Sequence, residues 1–221
     1  MISDSLAELL IQSIPGLLIP GLTVTIPLTL VSFGLGLILA LFTALVQIAR
    51  VPVLRQIARF YVWIIRGTPL LVQLYIIFYG LPSLNIKIDA IPSAIIAFTL
   101  SVGAYTSETL RAAILSVPQG QLEAGYCVGM TFSQTMRRII IPQAFKTAFP
   151  PLFNSFIGLT KDTSLAANVT VLEMFMSAQR IAARTYEPFA LYCEVGVIYL
   201  LFCTVLSKIQ DIGERKLEHM Q

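Results

Sequence analysis

Residues 123–142 read EAGYCVGMTFSQTMRRIIIP, a polar segment set between two strongly apolar stretches. Its order is a carboxylate with two small residues (Glu123, Ala124, Gly125), then Gly129, then Ile139 and Pro142 where an apolar run restarts. Small side chains let a helix approach another surface closely, glycine permits a sharp turn, and proline is tolerated in a first helical turn. A helix that lies in a groove of another protein, turns and re-enters a membrane needs such residues in this order. A short amphipathic surface helix ended by a glycine turn is the plainer alternative, and the surrounding sequence decides between them.

That surrounding sequence belongs in a bilayer. The chain has 221 residues, of which 56% are hydrophobic and 12% charged, and its mean hydropathy is +0.80. Soluble domains carry about one quarter charged residues. A net charge of +3 is too small to argue for nucleic acid. Cys127, Cys193 and Cys203 are widely spaced, lack a metal-like Cys-x-x-Cys pair, and read as small apolar fillers. Asp4 and Glu8 are the only early charges, so the first apolar segment is expected to be retained rather than cleaved as a signal.

A bilayer core takes about 20 apolar residues per helix. Apolar runs at about 16–48, 60–81, 91–113, 147–169 and 189–209 meet that length. The expectation is one domain over 1–221, all-α and integral to the membrane, with five spans and a loop at about 118–142. Lysine and arginine set its orientation. Arg50, Arg55, Arg59, Arg66, Arg111, Arg137, Arg138, Lys146, Lys208, Arg215 and Lys216 fall on one side, against Lys87, Arg180 and Arg184 on the other. The N-terminus is therefore expected outside, with the C-terminus and the 118–142 loop in the cytoplasm.

The Glu123–Pro142 pattern resembles the EAA loop of bacterial ABC importer permeases, the cytoplasmic helix that docks on the ATPase subunit. It departs at Gly125, where alanine is usual, and at Ile141, where leucine is usual; both keep the size class. Arg66-Gly67-Thr68-Pro69-Leu70 followed by Gln73 resembles the signature opening the second core helix of polar amino-acid permeases (the His/Gln/Arg type). Lys161-Asp162-Thr163-Ser164 and the Tyr105, Glu108, Arg111 group are similar to the same family. The resemblance runs from about residue 20 to the C-terminus. Residues 89–94, 105–114 and 184–189 look most like L-cystine permeases, with glutamine, arginine, histidine or glutamate systems close behind.

What the resemblance implies is a type I (MetI-like) permease fold with no bond chemistry of its own. It also implies a second permease, identical or paralogous, two ATPase subunits that bind ATP and Mg, and an extracytoplasmic substrate-binding protein. Glu123, Ala124, Gly125, Gly129, Ile139 and Pro142 would couple to the ATPase. Arg66, Gly67, Thr68, Pro69, Glu108 and Arg111 would be structural or coupling residues, and Gln73 with Lys161 to Ser164 would face the substrate pathway.

Lys161 and Asp162 also carry a physical argument. They lie about 22 Å along a helix from Lys146, the middle or outer half of a core about 30 Å thick. Charges at that depth normally face a polar cavity and have partners. Paired opposite charges could meet the ammonium and carboxylate of an amino acid, or could form an ion pair that never touches substrate. Glu108 and Arg111 lie three apart on one helix face, a spacing that permits an ion pair. Asn154 is expected to bond backbone freed by Pro150-Pro151. His219 is a lone tail residue.

No P-loop, Gly-x-Ser-x-Gly elbow or His-Glu-x-x-His helix occurs. A secondary transporter is a different class that would show inverted repeats and more spans. A membrane enzyme would need paired catalytic groups, for which only Lys161-Asp162 is available.

Overall fold

The computed structural model describes residues 2–49 and 51–218, with side chains from residue 6 to residue 217 apart from Arg50. Arg50 and His219 lie outside the described residues. Those residues form helices and connecting turns, with no strand among them. The α-helices are α1 (Ile2–Pro20), α2 (Ile26–Ala49), α3 (Pro52–Gly67), α4 (Leu70–Tyr75), α5 (Ala90–Ser116), α6 (Gln119–Cys127), α7 (Phe132–Thr135), α8 (Ile141–Asp162), α9 (Met174–Thr185) and α10 (Pro188–Glu218).

Proline shapes how these helices join. Three π turns, Gly21–Thr25, Ile76–Gly80 and Met136–Ile140, each end two residues before a proline: Pro27, Pro82 and Pro142. A proline ring would clash with the carbonyl four residues back. Those carbonyls belong to Thr23, Phe78 and Arg138, each at the middle of a π turn. The wider turn absorbs the ring without ending the helix. Pro142 therefore does not open a new helix, as the sequence led us to expect. Helical structure resumes earlier, at Phe132, and runs through Pro142 into α8.

The first apolar helix is longer than the expected 16–48: α1, the π turn and α2 form one stretch, Leu6–Ala49, of 44 residues. The stretch at 60–81 is broken between α3 and the Leu70–Leu84 segment rather than straight. Thr68 (φ −124°, ψ 146°) and Pro69 (φ −63°, ψ 138°) are extended there. Proline disfavours helical geometry in the residue before it, so Thr68 leaves the helix. The runs at 91–113 and 189–209 fall inside α5 and α10, whereas 147–169 is α8 followed by a 3-10 helix, Thr163–Val169. Among the described residues, three helices are long and apolar enough to cross a membrane, or four if the broken pair counts as one.

The chain forms two compact units interleaved along its length. The first comprises residues up to Gly34, with Pro69–Phe98 and Phe156–Ser207. Its core joins Leu17 of α1, Met174 and Ala178 of α9, and Val195 and Ile198 of α10. The second comprises Leu35–Thr68, Thr99–Ser155 and residues from Lys208 onward. Its core sets Ala113 of α5 against Ala144, Ala148 and Leu152 of α8. Small residues at such a seam let helix backbones approach closely.

One further expectation is corrected: Cys127 and Cys193 are exposed rather than apolar fillers. Near the proline pair of α8, Ser155 Oγ donates to the Pro151 carbonyl (2.9 Å) and Gln210 Nε2 to the Pro150 carbonyl (3.5 Å).

Candidate functional site

The 118–142 segment belongs to the second unit and consists of α6, a turn, α7 and the Met136–Ile140 π turn. Gly129 has φ +81°, a left-handed conformation that costs a residue with a Cβ about 1–2 kcal/mol. It closes α6 with two backbone bonds: Met130 N–H donates to Gly125 O (3.0 Å) and Gly129 N–H to Tyr126 O (2.9 Å). This is the paired pattern of a Schellman end, which satisfies the last carbonyls of the helix. Thr131 then starts α7 with a reciprocal cap. Its Oγ1 accepts from Gln134 N–H (3.3 Å), and Gln134 Oε1 accepts from Thr131 N–H (2.8 Å). Sequence reading passed over this pair, although Thr-x-x-Gln is a capping-box signature.

Gly125 is the buried pivot of the segment. A Cβ there would lie 2.6 Å from both Cγ2 and Oγ1 of Thr135, which is itself fully buried. The substitution of glycine for the usual alanine thus has a packing cause within this chain. Glu123 and Ala124 are exposed, as are Tyr126, Val128, Phe132 and Pro142, while Ile139 is half-buried in the π turn. An exposed carboxylate beside apolar side chains on a rigidly capped helix-turn-helix is a surface suited to contact with another protein.

Arg66, Glu108 and Arg111 come together in a second feature of the same unit, a cleft of about 480 Å³. Glu108 receives Arg111 Nη2 at 2.7 Å and Gln47 Nε2 at 3.2 Å, so the expected ion pair forms. The Arg66 guanidinium stacks 5.4 Å from the Tyr105 ring centre, within cation–π range. Thr68 Oγ1 donates to the Ile64 carbonyl (2.9 Å), closing the end of α3, while Gly67 and Pro69 are exposed at the break.

The remaining candidates lie in the first unit. Gln73 is buried in α4. Thr160 and Thr163 are fully buried, with Thr163 Oγ1 donating to the Thr160 carbonyl (2.7 Å) and Thr160 Oγ1 to that of Phe156 (3.1 Å). These hydroxyls hold the junction between α8 and the 3-10 turn, and leave Lys161 and Asp162 exposed, with Ser164 half-buried. Sequence reading did not single out Glu173, which is fully buried at the start of α9. Its carboxylate accepts from Phe175 N–H (2.8 Å), Met176 N–H (2.6 Å) and Tyr199 Oη–H (3.0 Å). The one available signal was a lone acid among Val169, Val171, Leu172, Met174 and Phe175.

The chain is 52% identical over 212 residues to the L-cystine transport system permease protein TcyB of Bacillus subtilis (strain 168), covering 96% of this chain and 91% of that protein. A solved structure described as an amino acid ABC transporter with histidines superposes with a TM-score of 0.84 at 33% identity, covering 97% of this chain and 96% of the other. The MetNI methionine ABC transporter, in inward-facing conformations, superposes with a TM-score of 0.76 at 20% identity over 91% and 96% of the two chains. At that identity it shows the fold alone, which is the MetI-like type I permease fold. The family described as binding-protein-dependent transport system inner membrane component matches residues 32–219. Apolar helices, a capped helix-turn-helix between two of them and these similarities converge: the chain belongs to the family of binding-protein-dependent transport system inner membrane components.

Proposed function

We propose that this chain is the permease subunit of an ATP-driven amino-acid importer whose substrate is L-cystine. The 52% identity to TcyB over nearly the whole chain is the observation that carries the substrate. A permease for another polar amino acid is the second reading, favoured by the likeness to the transporter described with histidines. Cells expressing the chain with its binding protein and ATPase should accumulate labelled L-cystine, and unlabelled cystine should compete where histidine, arginine and glutamine do not. Equal competition by histidine would replace cystine with the second reading.

In this reading five spans cross the membrane once each, the broken α3–α4 stretch and α8 included, with the N-terminus outside and the C-terminus in the cytoplasm. The lysine and arginine asymmetry supports that orientation. Two permease subunits, identical or paralogous, pair with two ATPase subunits that bind ATP and Mg, and an extracytoplasmic protein delivers substrate. Glu123, Ala124, Gly125, Gly129, Ile139 and Pro142 form the surface that meets the ATPase. Closure of the ATPase pair must favour one arrangement of the spans by a few kcal/mol, and a rigid helix-turn-helix transmits such a movement better than a loop.

Lys161, Asp162, Ser164 and Gln73 line the pathway, and Thr163 holds the turn that presents them. The exposure of Lys161 and Asp162 on a single chain fits side chains that face a cavity shared with a second permease. Opposite charges there match the ammonium and carboxylate of an amino acid. Losing a hydrogen bond to a charged group costs about 1.5–3 kcal/mol, so Asp162→Asn should lower uptake efficiency by roughly 10- to 150-fold. The permease should still co-purify with its ATPase. Unchanged uptake kinetics in a normally assembled transporter would remove Asp162 from the pathway.

A further inference from the structure

We propose that the arginine-lined cleft of the second unit holds the phosphate of an anionic membrane phospholipid. Four guanidinium groups, from Arg55, Arg59, Arg66 and Arg111, line this cleft of about 480 Å³, against a single carboxylate, Glu108. That carboxylate is already engaged by Arg111 and Gln47. Arg66 faces the Tyr105 ring, a contact that adds no negative charge to the cleft. Arg55 makes the strongest demand for a ligand. Its Nε is buried and has no hydrogen-bond acceptor. A buried N–H left unpaired costs about 1–3 kcal/mol, more when charged, and a phosphate oxygen in the cleft would meet it. Guanidinium groups bind phosphate in a planar, two-pronged geometry that suits this cluster.

The helix that carries three of the four arginines says what the phosphate is attached to. On α3, residues 55, 59, 62 and 66 recur at helical spacing and form one face. Val53, Ile57, Phe60 and Ile64 form the opposite face and are exposed. A helix with a basic face and an exposed apolar face suits the membrane interface, so α3 is the interfacial arm of the broken stretch that crosses the bilayer. Trp63 lines the cleft and is 69% exposed, bridging the two faces, and Trp is enriched at headgroup level. A phospholipid satisfies both faces together, its phosphate among the arginines and its acyl chains along the apolar side. Inorganic phosphate fills the cleft and leaves the apolar face bare. An acidic segment of a partner protein pairs the charges without accounting for that face either. Basic pockets between membrane helices are a general mode of lipid headgroup recognition.

The assay is native mass spectrometry of the full permease, assembled with its ATPase and titrated with dioleoyl phosphatidylglycerol, dioleoyl phosphatidylcholine or inorganic phosphate. Wild type should retain phosphatidylglycerol over phosphatidylcholine, and millimolar phosphate should not displace it. With each basic side chain contributing at the membrane surface, the double variant R55Q/R59Q should bind phosphatidylglycerol about thirty-fold more weakly. Lys87→Gln, on an exposed loop of the first unit, should not change retention. Equal retention of the two lipids by wild type overturns the proposal without need of any variant. So does undiminished retention by R55Q/R59Q, displacement by inorganic phosphate alone, or exclusion of lipid once the ATPase binds. None of these outcomes depends on which amino acid is transported, so the substrate reading stands or falls separately.

Discussion

Glu173→Ala should lower the thermal unfolding midpoint of the purified permease by about 5–15 °C, given about 2–4 °C per kcal/mol for a chain of this size. The carboxylate is fully buried and accepts three hydrogen bonds, two from the first turn of α9 and one from the Tyr199 hydroxyl. Met174, at the same turn, donates its N–H to Thr25 Oγ1 (3.3 Å), so this one cluster ties α9 to the first apolar helix and to α10. Removing a side-chain cap costs about 1 kcal/mol, and orphaning a buried hydroxyl costs about 1–3 kcal/mol more. The loss should exceed that of Tyr199→Phe, which leaves both backbone caps in place. Adding Tyr199→Phe to Glu173→Ala should destabilise by less than the sum of the two, because the orphaned hydroxyl is then gone. Differential scanning fluorimetry in detergent reads all three variants. A Glu173→Ala midpoint within 1 °C of wild type, roughly the error allowed by this scaling, would show that water or another group satisfies the cap.

Glu173 also marks where sequence reading stops. The turn at Gly129 is legible because it is a local demand of one residue, a positive φ that favours glycine. The apolar runs show where long helices can form, since burial in hydrocarbon depends on composition alone. Hydropathy does not say that a run turns midway, so the 60–81 stretch reads as straight until the extended backbone at Thr68 and Pro69 is seen. Pro142 looks like a helix start because proline is common there, yet a π turn absorbs it. The division into two interleaved units, the role of Glu173 and the reason for Gly125 all depend on partners distant in sequence or on a single methyl group of space. Local pattern carries neither kind of information. The Thr131–Gln134 cap was legible in principle, because its two residues stand at a fixed spacing.

Gly125→Ala should reduce ATP-driven uptake far more than it reduces the amount of folded permease. Alanine stands at this position in the motif that the loop resembles, and it would ordinarily be called conservative. Here the added Cβ meets Thr135 Cγ2 and Oγ1 at 2.6 Å. Thr135 is fully buried and its Oγ1 donates to the Thr131 carbonyl (3.1 Å), so it cannot simply rotate away without breaking the start of α7. Overpacking of this kind costs about 1–3 kcal/mol. Most of that cost can be relieved by α6 and α7 moving apart, which distorts the surface proposed to meet the ATPase and leaves the spans intact. If docking requires the undistorted arrangement, the same energy corresponds to roughly a 5- to 150-fold loss of uptake. Thr135→Ala removes both clashing atoms, and the nearest remaining atom, Thr135 Cβ, lies 3.2 Å from the new methyl. The double variant G125A/T135A should therefore recover much of the uptake lost by G125A, and Thr135→Ala alone should lose little. Uptake measured beside ATPase co-purification separates the alternatives. Wild-type uptake by G125A would show that the α6–α7 angle does not matter for coupling. Failure of T135A to rescue would show that the clash with Thr135 is not what uncouples the variant, and would overturn this account of Gly125.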